Sequence, residues 1–197
     1  GEIEFAHTHE FLFGRLRFDG RDLGPATDRA YGAVLELLAH TGHAHGLRFW
    51  NFVPEVNRVG AEGSPSLERY MVFCRARAEA TERVLGPDFS AHLCASSAVG
   101  CRGEEALMYF LAARRSGTRV GNPRQEEPWR YPPRYGPRAP SFARGTSTAD
   151  GTLFLSGTAS IVGHRSLFPG NLDAQLDETL RNMQAVLRES GAGDLGR

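Results

Sequence analysis

The residues best equipped for chemistry lie between Asn122 and Arg144, in NPRQEEPWRYPPRYGPRAPSFAR. Five arginines (Arg124, Arg130, Arg134, Arg138, Arg144) alternate there with Trp129, Tyr131, Tyr135 and Phe142. A guanidinium presents N–H donors as a rigid fork that fits a carboxylate, and aromatic rings supply apolar walls beside it. Each proline fixes its own φ, removes a backbone donor and extends the residue before it, which excludes a helix or a central strand. Disordered linkers are polar and poor in aromatics, which this stretch is not. An ordered, extended connector between two packed units is expected; a proline-stiffened linker with solvated arginines is the alternative.

Other clusters offer less. His7 and His9 are two apart, as are His43 and His45, so each pair shares a strand face, but no third ligand stands at zinc-site spacing. Cys74, Cys94 and Cys101 read as reduced core thiols rather than a redox pair. Glu104-Glu105 and Glu126-Glu127 could supply an acid, although paired acids in turns are usually solvated. Formal net charge is zero, so no general field draws nucleic acid or an anionic membrane. Every basic residue apart from histidine is arginine, and without lysine there is neither a Schiff base nor a P-loop. No metal, cofactor, nucleic acid or membrane partner is expected. With no signal peptide or long apolar run visible, a cytoplasmic location is.

The elements that must position the arginines follow from periodicity. Glu2–Ala6, Glu10–Phe18, Leu47–Val53, Ala91–Val99 and Glu105–Ala113 read as strands. Asp22–Thr41 reads as a helix stopped by Gly42. Ser66–Leu85 reads as another, capped by Ser66, with Leu67, Tyr70, Met71, Cys74, Ala78 and Leu85 on its buried stripe. After the connector come a strand, Thr152–Val162, broken by Gly157, and a helix, Leu172–Glu189. Asp22–Gly42 and Asn171–Gly191 align without a gap, Leu23 on Leu172, Asp28 on Asp177 and Leu38 on Leu187, each behind a similar strand. The chain therefore reads as a β-β-α-β-α-β-β unit, a connector, and the first half of a second copy.

The segment LFLSGTASIVGHRSLFPGNLDAQLDETLRNMQAVL resembles the RidA/YjgF family, with Gln175, Glu178, Thr179 and Asn182 in the places of its Q…ET…N helix. LRFWNFVPEVN, LERYMVFCRARAEA, MYFLAAR, NPRQ, YGPRAPSFAR and SGTASIVGH narrow the resemblance to the chorismatase branch of that family. It implies an α/β (α+β) fold of two RidA/YjgF-like, chorismate mutase-like units, a mixed sheet with helices on one face, and an incomplete second unit. The expected division is 1–118 for the first unit, 119–145 for the connector and 146–197 for half of the second.

The implied activity is cleavage of the enolpyruvyl ether of chorismate, giving pyruvate and either a dihydroxycyclohexadiene carboxylate or 3-hydroxybenzoate, in secondary metabolism. An inactive or divergent ligand-binding member, or an imine deaminase, are the alternatives. Tyr135, Arg138 and Arg144 match the connector motif; Ser156, Gly157, Thr158 and Ala159 match the pocket strand. These seven are the expected substrate-binding residues, with arginine forks on the carboxylates and Gly157 letting a ring approach the backbone. The family's catalytic glutamate lies on late strands of the second unit, for which no position up to Arg197 is a match. No catalytic residue is assigned, and little chorismatase activity is expected of these 197 residues alone. RidA-like proteins commonly form trimers, which makes a homotrimer the expected assembly.

Overall fold

The computed structural model describes residues 2–60 and 67–196. Its main sheet contains β1 (Ile3–His7), β2 (Phe11–Asp19), β3 (His45–Pro54), β4 (Ala95–Cys101) and β5 (Glu105–Ala113), in the order β1-β2-β5-β3-β4. Neighbours run antiparallel except β3 and β4, which are parallel and need the long crossover that separates them. Alternation decides the faces. Leu12, Leu16 and Phe18 of β2 point into the core, whereas Phe11, Phe13 and Arg17 point out. Register brings Leu16 opposite Met108 and Phe49 opposite Phe110, so three strands meet in one apolar layer.

Helices α1 (Leu23–His40) and α2 (Arg69–Leu85) cover that layer. On α1, Leu23, Ala26, Ala30, Val34 and Leu38 are buried at helical spacing, and the helix stops before Gly42 at φ +74°. α2 differs from the expected stripe. Val72, Phe73, Ala76 and Ala80 are buried together with Arg69 and Arg77, and Tyr70, Met71, Phe73 and Arg77 line a cavity. The helix is packed on two flanks, by α1 and by the connector, so a single apolar stripe does not describe it. The expected cap, Ser66, lies outside the described residues; Glu68 occupies the cap position in the structure.

The remaining chain packs against the β4 side of this layer. β6 (Thr118–Val120), β7 (Gly145–Ser147) and β8 (Leu153–Leu155) form a three-stranded antiparallel sheet, and β9 (Ile161–Val162) pairs with β10 (Arg165–Ser166). Two expectations are corrected. Residues 89–92 form a 3-10 turn, and β4 begins only at Ala95. Thr152–Val162 is not one interrupted strand but two strands in different sheets. Ser156 and Gly157 leave β8 to bond the backbone of Ser96, which redirects the chain.

Helix α3 (Leu172–Glu189) starts on Asn171, whose Oδ1 accepts from the Ala174 N–H at 3.1 Å. It buries Glu178, Asn182 and Val186 and leaves Leu172 77%, Leu176 56% and Leu180 42% exposed. The connector is ordered. It carries 3-10 turns at Pro128–Arg130 and Pro133–Tyr135, and bridges to β4 through Ala143 and to the β9–β10 turn through Gln125. Among the described residues no helix is long and apolar enough to cross a membrane.

Candidate functional site

The start of the connector, Asn122 to Gln125, is locked onto α3. Asn122 Oδ1 accepts from the Arg124 N–H (2.9 Å) and its amide donates to the Asn182 carbonyl (3.1 Å). Arg124 donates to Asn182 Oδ1 (3.2 Å) and forms a close ion pair with Glu178, which also meets Arg181 at 3.4 Å. Asn182 Nδ2 donates to the carbonyls of Ala159 (2.9 Å) and Ile161 (2.8 Å), and Gln125 Nε2 to Thr158 Oγ1 (3.2 Å) and the Ile161 carbonyl (3.1 Å). Two inward polar residues on one helix, four apart, thus hold both the connector and the 158–161 segment. Their burial is explained by satisfied hydrogen bonds.

A second network fixes the opposite wall. Tyr31 donates to Asn51 Oδ1 at 2.7 Å, and Asn51 donates to Ser96 Oγ (3.2 Å) and the Ser97 carbonyl (2.9 Å). Arg77 donates to Ser96 Oγ at 3.1 Å and to the Ser141 carbonyl, and lies 5.4 Å from the Tyr31 ring centre. Burial pushes the Tyr31 phenol up to about 12 and lowers Arg48 to about 10, so Arg48 remains charged at neutral pH. Arg48 donates to Ser97 Oγ at 3.0 Å and to the Phe49 carbonyl at 2.9 Å.

Between these walls lies a cavity of about 410 Å³, within the range of small-molecule sites. Arg77 and Arg144 line it, 6% and 4% exposed, and neither forms an ion pair among the described residues. Arg144 Nη2 donates to the Glu126 carbonyl (2.6 Å) and Tyr131 Oη (2.8 Å), and its guanidinium lies 5.7 Å from the Tyr131 and Phe142 rings. Nη1 makes no hydrogen bond among the described residues. Tyr70, Phe73, Tyr131, Tyr135 and Phe142 add aromatic wall, and burial raises the Tyr70 phenol well above its ordinary value, leaving it a proton donor. At the rim the Tyr135 hydroxyl donates to the His164 carbonyl at 2.7 Å, and Arg134 lies 2.9 Å from the His164 ring. Two buried cations amid aromatic rings suit a small, flat, anionic molecule.

The structure brings five of the seven expected residues to this cavity: Tyr135, Arg144, Gly157, Thr158 and Ala159. Arg138 and Ser156 are not among its lining residues. Arg138 pairs with Glu82 at 2.6 Å, and Ser156 Oγ accepts from the Ser96 N–H at 2.8 Å while donating to the Ala143 carbonyl. Gly157 sits close to β4: a Cβ there would lie 3.1 Å from Ser97 Cβ, a tight contact that Ser97 would have to yield to. Glu104, Glu105, Glu126, Glu127 and Glu178 do not line the cavity, whereas Glu68 does. Sequence reasoning missed Arg77 and His164, and named Tyr131 only as one of the connector's aromatic residues. Arg77 carried a signal, a cation on the buried side of α2, but only the fold shows which flank it faces.

Fold and cavity define a mixed α/β protein with an internal arginine-lined pocket, and its relatives narrow that class. A family model for the N-terminal part of FkbO/Hyg5-like chorismatases matches residues 1–112. A 3-hydroxybenzoate synthase of Streptomyces hygroscopicus is 41% identical over 197 positions, which cover 94% of this chain and 56% of the relative. A chorismatase of Streptomyces rapamycinicus is 38% identical over 204 positions, covering 99% and 58%. A crystal structure of a chorismatase superposes with a TM-score of 0.88 at 34% identity, covering 98% of this chain and 60% of that one. The chain belongs to the FkbO/Hyg5-like chorismatase family. It spans just over half the length of these curated relatives.

Proposed function

We propose that the protein binds chorismate in the 410 Å³ cavity and cleaves its enolpyruvyl ether, releasing pyruvate, in a cytoplasmic pathway of secondary metabolism. The observation that carries this is the pair Arg77 and Arg144. Two buried arginines line one aromatic cavity with no carboxylate partner among the described residues, and chorismate brings two carboxylates. Burying an unpaired cation is costly, so a site holding two is built for an anion that arrives from outside. In this reading Arg144 Nη1 takes one carboxylate and Arg77 the other. Tyr131 and Phe142 flank the ring, and Tyr135, Thr158 and Ala159 close the wall. Arg138 and Ser156 act indirectly, by holding the connector to α2 and to β4.

The architecture that accompanies this reading is a pair of RidA/YjgF-like units, divided at 1–118, 119–145 and 146–197. A homotrimer fits the same resemblance. Ether cleavage needs an acid placed at the enolpyruvyl group. None of the acids singled out in the sequence lines the cavity, where Glu68 and Tyr70 are among the proton-bearing groups present; a second reading is ligand binding without turnover by these residues alone.

Incubation with chorismate and a coupled pyruvate assay separates the two. Pyruvate release establishes cleavage. Saturable binding of 3-hydroxybenzoate without pyruvate establishes the binding reading. Absence of both removes chorismate and its products from this site.

A further inference from the structure

Three side-chain atoms among the described residues are buried without a hydrogen-bond partner: Thr27 Oγ1, Glu127 Oε2 and Arg144 Nε. The last two are chemically complementary, one a carboxylate acceptor and the other a guanidinium N–H donor. They also belong to one neighbourhood. Arg144 Nη2 is bonded to the carbonyl of Glu126, the residue before Glu127, and the Arg144 charge acts on the Glu127 carboxyl. Glu127 is not a lining residue of the cavity; its Oε1 packs 3.3 Å from where a Cβ on Gly121 would stand. The carboxylate therefore lies outside the cavity lining, within reach of the Arg144 charge.

Arg119 acts on the Glu127 carboxyl more strongly than Arg144 does, but among the described residues neither it nor Arg130 forms an ion pair with Glu127. Arg119 donates to the Ser90 carbonyl (2.8 Å) and lies over Trp129 at 4.7 Å, and Arg130 is exposed. Burial raises the Glu127 carboxyl above its ordinary value, opposed in turn by Arg119, Arg144 and Arg130.

We infer that Glu127 is a positioning residue for Arg144, its Oε2 and the Arg144 Nε–H sharing one ordered water outside the cavity lining. A buried donor and a buried acceptor that do not touch are commonly joined in this way, and each supplies one of the bonds such a water needs. Nη2 is fixed by Glu126 and Tyr131 and Nε by the Glu127 water, so the guanidinium plane is set and Nη1 is left for the ligand. The inference rests on the proposed anion site for its consequence, but not for its geometry.

The test is calorimetry with 3-hydroxybenzoate on the protein and on Glu127→Ala and Glu127→Gln, with thermal unfolding recorded for each. Ala removes the acceptor, and affinity is expected to fall about tenfold or more. Gln keeps an acceptor oxygen and is expected to stay within about threefold, a rescue that a purely electrostatic role would not give. Unchanged affinity in Glu127→Ala, or equal losses in both variants, overturns the inference. If the protein does not bind 3-hydroxybenzoate, or a variant does not fold, a high-resolution crystal structure of the unmodified protein decides. A water within hydrogen-bond distance of both Oε2 and Nε upholds the inference, and density showing none there overturns it.

Discussion

Arg144 and Arg77 resemble each other in burial but not in their obligations to the protein. Arg77 ties α2 to Ser96 and to the Ser141 carbonyl, so Arg77→Ala is expected to lower stability and ligand affinity together. Arg144 spends Nη2 on Glu126 and Tyr131, lines the cavity, and makes no hydrogen bond through Nη1 among the described residues, which in the proposed reading leaves that nitrogen for the ligand. Removing Arg144 should act mainly on the ligand. Arg144→Ala is expected to weaken 3-hydroxybenzoate binding by about 1.5–3 kcal/mol, the scale of a hydrogen bond to a charged group. Calorimetry showing unchanged affinity would take Arg144 out of the site. Arg144→Lys keeps the charge but loses the fork, and an intermediate loss is expected. The thiols give a separate check at this scale. Burial holds Cys74 and Cys94 up to about 11, whereas Cys101 is partly exposed. At pH 8 a thiol reagent is expected to modify Cys101 first and the other two only after unfolding.

Helix α3 shows how an element can carry polar residues inward for a reason. Asn182 satisfies two carbonyls of the 158–161 segment and receives Arg124, while Glu178 balances Arg124 and Arg181. Asn182→Ala is expected to cost about 1–3 kcal/mol through the groups left unpaired. It should also loosen the Ala159 side of the cavity, read as lower thermal stability and faster amide exchange over 158–163. Normal stability would show that the connector is held by something else. The same helix marks the limit of sequence reading. Its span, Leu172–Glu189, and that of β5 follow directly from periodicity. The connector's order followed from its aromatic content, and Arg144 from the motif. What periodicity did not carry was contact between distant segments. β6 and β7 are three residues each and exist because they pair with one another across the connector. Ser156 and Arg138 look like ligand groups in sequence because nothing local reveals Ser96 or Glu82 as their partners.

At the scale of the whole molecule, the buried titratable groups set an alkaline limit. In the unfolded chain a thiol ionises near about 8.5, whereas Cys74 and Cys94 keep their protons up to about 11. Between those values the unfolded state binds fewer protons than the folded one, so stability is whole below the window and falls as pH rises through it. Each thiol contributes a slope of about 1.4 kcal/mol per pH unit there, and Tyr31, held at about 12, extends the fall. The urea midpoint is expected to drop from pH 9 to 11, and less steeply in a Cys74→Ala, Cys94→Ala double variant. Light scattering is expected to give three times the chain's mass; a monomer would end the trimer reading. The strand order has a consequence of a different kind. β5 lies between β2 and β3, although it is made after both, and residues 11–19 find their partner only at 105–113. As the chain leaves the ribosome, β2 and β3 each wait with one edge unpaired until β5 enters between them. Closing a loop of that length makes assembly slow. Pulse-labelled amide exchange should therefore show β2, β3 and β5 gaining protection in one late step, and until that step the nascent chain is the form most in need of a chaperone.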